Sequence, residues 1–150
     1  MTKDEFVTRY GGIYEHSPWV AEKAWGKRGT IASKMARFVD ESGHDAQLAL
    51  LRVHPDLGGK LAMTDASTSE QASAGLDQCS PAEYSEFIAL NDAYKAKFGF
   101  PFILAVRGLR RTDILDNFRA RVHSDPKTEF TEALTQVHKI ARLRLDALNR

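Results

Sequence analysis

His54 sits in the octet Arg52-Val53-His54-Pro55-Asp56-Leu57-Gly58-Gly59. A residue before proline is pushed out of the α region, so a helix must end there. The C-terminal end of a helix favours a cation, which predicts an imidazole that keeps its proton and can give it away. Taken alone, the pattern describes a helix-capping or surface histidine equally well. Pro55 and the glycine pair would fix the turn and admit close backbone approach.

A second group is a guanidinium. At about 100° of rotation per residue, Arg144 falls within about 20° of Val137 on the last helix, inside an apolar stripe. That stripe is Phe130, Leu134, Val137, Ala141, Leu145 and Leu148, whereas Arg142 points away from it. A cation aimed at the core needs a carboxylate or an anionic ligand there. A structural ion pair, or a stem snorkelling to the surface, is the alternative. The third group lies in "TDASTSEQASAGL". Ser67-x-x-Glu70 reads as a capping box and predicts a helix beginning at Ser67. Free N–H groups at such a start attract a negatively polarised atom, with Ser67, Glu70 and Gln71 around it.

Metal chemistry finds little support. His16, His44, His54, His123 and His138 are scattered, with no pair four apart and no HExxH, so no metal is expected. Cys79 is the only cysteine, which excludes an intramolecular disulfide and a cysteine-rich zinc site and suits a reducing compartment.

Helices must position these groups, since apolar residues recur at helical spacing nearly throughout. The expected helices are Lys3 to Tyr10, one opened by Ser17-Pro18 and carrying Trp19, Val20 and Trp25, Thr30 to Glu41, "HDAQLALLRV", a short one ended by Gly75, and "RTDILDNFRARV". The clearest helix has Ser80 as N-cap, Pro81 first, Glu83 closing a capping box and Gly99 as stop, with Tyr84, Phe87, Ile88, Asn91, Tyr94 and Phe98 buried. The last, Thr128 to Leu148, spans about 30 Å. "PFILAV", Pro101 to Val106, has no helical signal and no partner strand, so an extended segment crossing the core is expected. Its backbone groups need partners, and a polar ligand is one candidate. The fold class is therefore all-α: one compact multi-helix domain over residues 1–150.

Twenty-one Lys+Arg against twenty Asp+Glu give a formal net charge of +1, which calls for neither nucleic acid nor an acidic surface. Lys139, Arg142 and Arg150 read as a solvated face. No apolar run approaches the roughly 18 residues of a spanning helix, so no membrane partner is expected. "MTKDEFVTRY" is too polar for a signal peptide and "ALNR" is no peroxisomal address, which makes the cytoplasm the default compartment.

Four blocks occur together and in order: "HPDLGG", "SEQASAGL", "LNDAYKAKFGFPFILAVRG" and "IARLRL". With them the sequence resembles the OHCU decarboxylase family, from about "IYEHSPWV" to Leu145. The resemblance implies conversion of 2-oxo-4-hydroxy-4-carboxy-5-ureidoimidazoline to (S)-allantoin in uric acid degradation, without a cofactor, by a homodimer. It also implies that His54, Glu70 and Arg144 match the family's catalytic histidine, carboxylate and arginine. Pro55, Ser67, Thr68, Ser69, Gln71, Phe102, Ile103, Leu104, Ala105 and Val106 match its ligand-contact segments. Under it His54 would supply the proton, Arg144 would fix substrate oxygens, Glu70 would orient the 4-hydroxyl or the histidine, and Gln71 with the extended backbone would read the ureido group. Gly59 stands where an alanine is frequent and Cys79 where a leucine is common, both away from that chemistry. The alternatives are a helical binding module in which Arg144 and the capping residues are structural, and an enzyme for a related ureide.

Overall fold

Most helices here start where a short polar side chain reaches a free backbone N–H. In the computed structural model, which describes residues 1–58 and 64–149, eight α-helices form. They are α1 (Lys3–Tyr10), α2 (Trp19–Ala24), α3 (Ile31–Glu41), α4 (His44–Arg52), α5 (Asp65–Ser73), α6 (Pro81–Phe98), α7 (Arg111–Arg121) and α8 (Pro126–Leu148), with a 3-10 turn at Leu76–Gln78. Thr2, Thr30, Thr64, Ser80 and Asp125 cap α1, α3, α5, α6 and α8. The full capping box of α6 is present, and Gly99 ends that helix at φ +81°.

Three expected boundaries move. Helix α5 is capped three residues before Ser67, because Thr64 is an equally good cap and takes the Ser67 N–H at 3.2 Å. Helix α8 starts at Pro126, since Asp125 caps it and proline tolerates the first position. Pro18, not Ser17, sits at the cap position of α2, and the Ser17 hydroxyl instead donates to the Glu15 carbonyl at 2.8 Å. Two side chains expected inside are outside: Ile88 is 43% exposed and Leu148 is 38% exposed. The buried face of α6 runs along Phe87, Asn91 and Tyr94, and Ile88 lies beyond its edge.

No strand forms among the described residues, and Pro101 to Val106 is extended as expected. Phe100 and Phe102, two apart, share an aromatic cluster around Tyr94, as the period of an extended chain requires. Phe102 stacks on Phe118 with centroids 4.0 Å apart. Side chains serve the segment's backbone: Arg121 Nη1 donates to the Ile103 carbonyl at 2.7 Å, and the Ala105 N–H donates to Gln136 Oε1 at 3.0 Å. Arg121 is itself buried, its guanidinium 4.4 Å from the Phe102 ring and 2.5 Å from Glu129. Tyr94 donates its hydroxyl to the same carboxylate at 2.5 Å. A second brace joins Tyr14 to His138 at 2.8 Å and His138 to Asp40 at 2.9 Å, which fixes the loop carrying Glu15 against α8 and α3.

Candidate active site

Helix α4 must stop before Pro55, and the stop delivers His54 to the wall of a cleft of about 680 Å³. The ring is buried, and its Nδ1 lies 2.8 Å from the Leu50 carbonyl. A carbonyl only accepts, so Nδ1 carries the hydrogen and Nε2 carries the lone pair. Burial drives the imidazole pKa down to about 4 against the Leu50 hydrogen bond and the nearby Glu15 charge, which favour the cation. The expectation of a proton held by the helix end is thus overturned: loss of hydration outweighs the end of a short helix.

The turn behind His54 is tied from two helices. Gln71 on α5 accepts the Gly58 N–H at 3.0 Å and donates to the Asp56 carbonyl at 3.1 Å. On α6, Asn91 donates to the Leu57 carbonyl at 3.0 Å, and Lys95 pairs with Asp56 at 2.8 Å. Gly58 has φ +73°, and a Cβ there would stand 2.9 Å from the Phe87 ring, so the turn has no room for a side chain. Gly59 lies outside the described residues.

On the same cleft, Arg144 points inward as its place in the stripe predicts, with its side chain 8% exposed. All five of its N–H donors find protein acceptors. Nε and Nη2 fork onto Glu70 at 2.9 Å each, and Nη2 also reaches Ser67 Oγ at 3.1 Å. Nη1 makes two longer contacts of 3.3 Å, to the Gly12 carbonyl and Glu15. Burial lowers the guanidinium pKa, but Glu70 and Glu15 outweigh it and leave a firm cation.

Glu15 is the residue that sequence reasoning passed over. It is 1% exposed and stands behind Arg144. Thr64 donates to it at 2.7 Å, and Ser67 makes a very short hydrogen bond to its second oxygen. Burial raises its pKa, yet the two hydroxyls and Arg144 more than reverse that and keep it ionised. A glutamate in an irregular loop has no periodicity to betray it. The only signal was the company of Tyr14 and Ser17-Pro18.

Of the expected site residues, His54, Pro55, Ser67, Ser69, Glu70, Gln71, Ile103, Leu104, Ala105, Val106 and Arg144 all line this cleft. Thr68 does not: it is exposed and donates to the Thr64 carbonyl. Phe102 turns away into the aromatic cluster. Ser67 lies in the first turn of α5, but its N–H is already capped by Thr64, so its side chain rather than a free helix end faces the cleft. No cluster of three metal-ligating side chains occurs among the described residues.

The family model of OHCU decarboxylase matches residues 1–146. The chain belongs to the OHCU decarboxylase family. A 2-oxo-4-hydroxy-4-carboxy-5-ureidoimidazoline decarboxylase of Haloferax volcanii is 48% identical over 97% of the chain and 89% of that protein. The uric acid degradation bifunctional protein PucL of Bacillus subtilis is 43% identical over 97% of the chain, which spans 30% of PucL. An (S)-allantoin synthase structure superposes with a TM-score of 0.77 at 37% identity, covering 99% of the chain and 51% of that protein. An OHCU decarboxylase solved in the presence of (S)-allantoin shares the fold, with a TM-score of 0.73 at 23% identity over 97% and 96% of the two chains. The all-α architecture is therefore that of the OHCU decarboxylase family.

Proposed function

We propose that this chain decarboxylates 2-oxo-4-hydroxy-4-carboxy-5-ureidoimidazoline to (S)-allantoin, with His54, Glu70 and Arg144 as its catalytic residues. The observation that supports these roles is their placement on one cleft in a member of this family, though 16 and 74 residues separate them along the chain. The reaction breaks the bond between C4 and its carboxylate. The released pair forms C4=C5, and the former C5=N pair moves onto nitrogen, which takes a proton. The 4-hydroxyl then collapses to a carbonyl while C5 gains a proton. Overall, one proton replaces CO₂, and the substrate's own C=N is the electron sink, so no cofactor is needed.

His54 with a free Nε2 suits the role of shuttle: it takes the 4-hydroxyl proton and returns one to a single face of C5. Arg144 holds Glu70 in a two-bond fork, and its loosely held Nη1 is the donor best able to turn to a substrate oxygen. Glu70 accepts from the 4-hydroxyl or the ureido N–H groups. Pro55, Ser69 and the Ile103 to Val106 wall shape the cleft around the ring. Gln71 acts here as a clamp on the His54 turn rather than as a reader of the ureido group. Apolar walls favour loss of the carboxylate charge.

The test uses substrate made freshly with uricase and hydroxyisourate hydrolase, followed by circular dichroism. The protein is expected to accelerate (S)-allantoin formation, and His54→Ala to slow turnover by about 10²–10⁴. Formation at the spontaneous rate with wild-type protein would sink the reading. A cytoplasmic homodimer is part of the proposal, and solution scattering reads the dimer directly.

A further inference from the structure

We infer that Arg107 recognises the substrate carboxylate and makes the cleft distinguish substrate from product. This deepens the proposed reaction and rests on it. The substrate arrives with an ionised carboxylate, and the product has lost it as CO₂.

The inner wall is poorly suited to hold that charge. Every N–H of Arg144 is engaged by protein groups, and the carboxylates of Glu70 and Glu15 together exceed its charge by one. His54 adds none, because its buried ring is neutral. An anion entering that end meets net repulsion in a partly dehydrated site, where charges are weakly screened. Arg107 is the other cation on the cleft wall among the described residues. It is exposed, and no described residue forms an ion pair or side-chain hydrogen bond with it.

Its placement is built in. The extended segment ends at Val106, whose carbonyl accepts the Leu109 N–H at 3.0 Å, and Gly108 in that turn has φ +81°. The reversal leaves Arg107 next in the chain after the Ile103 to Val106 wall and on the lining of the same cleft. Arg121 and Gln136 anchor that segment, so the cation is carried on a fixed support. A guanidinium there attracts the anion, holds its carboxylate at that stretch of the wall, and loses its partner when CO₂ leaves. Neutral (S)-allantoin then has no ionic hold on the cleft.

Arg107→Gln, Arg107→Lys and wild type are compared for kcat/KM against ionic strength, and for inhibition by (S)-allantoin. Wild-type kcat/KM should fall with added salt. Arg107→Gln should lose about tenfold at low salt, show a flatter salt dependence, and keep the allantoin inhibition constant. Arg107→Lys should recover much of the loss. An Arg107→Gln protein with wild-type kcat/KM and salt dependence overturns the inference, as does equal weakening of allantoin inhibition. Wild-type protein without decarboxylase activity removes the underlying reaction, and this inference with it.

Discussion

His54 takes up a proton in the unfolded chain near its ordinary value of 6.5, but in the folded protein only near pH 4. Between those values protons bind the unfolded state preferentially, so stability is full above the upper one and is lost as pH falls toward the lower. The slope is at most about 1.4 kcal/mol per pH unit for one group. His54→Asn should therefore show a shallower decline of urea midpoint with acidification than wild type across that window, and parallel curves would exclude a buried neutral imidazole. Glu15 yields a second prediction. Glu15→Ala leaves Thr64 and Ser67 without their acceptor and Arg144 with one contact fewer. A loss of about 3 kcal/mol in urea titrations is expected, with a fall in kcat. Glu15→Gln should recover part of the stability, because it keeps an acceptor for the hydroxyls.

At the level of elements, the extended segment is a wall made rigid by side chains rather than by a sheet. Arg121 joins the Ile103 carbonyl to Glu129, and the neutral Tyr94 hydroxyl donates a hydrogen bond to the same carboxylate. Removing one partner leaves a buried charge alone, so Arg121→Met should cost about 3–5 kcal/mol, whereas Arg121→Met with Glu129→Leu should recover much of it. Denaturant titration of the three proteins checks this. Helices were legible from local chemistry: the Ser80 cap of α6 and its stop at Gly99 needed only nearby side chains. Arg144 was legible because a charge breaks the apolar period of a long helix. The start of α5 was not, since Thr64 and Ser67 are both good caps and the choice depends on what Ser67 meets across the fold. Nor could the state of His54 be read locally, because its burial comes from packing, and the direction of Phe102 is set by Phe118.

For the whole molecule, Arg144 bridges 132 residues to Gly12 and 74 to Glu70, so the cleft exists only when both halves of the chain have met. A ligand that needs this assembly must stabilise it. (S)-allantoin at about 100 times its Kd should add about 2.7 kcal/mol. That corresponds to a rise in Tm of roughly 5–10 °C for a chain of this size. Differential scanning fluorimetry measures the rise, and Arg144→Met should abolish it. The fork between Arg144 and Glu70 also has a bearing on how tightly anything can be held. The unliganded protein already carries an internal competitor, and a visiting oxygen gains only the difference between its own attraction and the one it displaces. Firm ground-state capture is thereby forfeited, and the guanidinium is reserved for whichever species outbids the resident glutamate, above all one whose oxygen grows more negative as the carbon–carbon bond gives way.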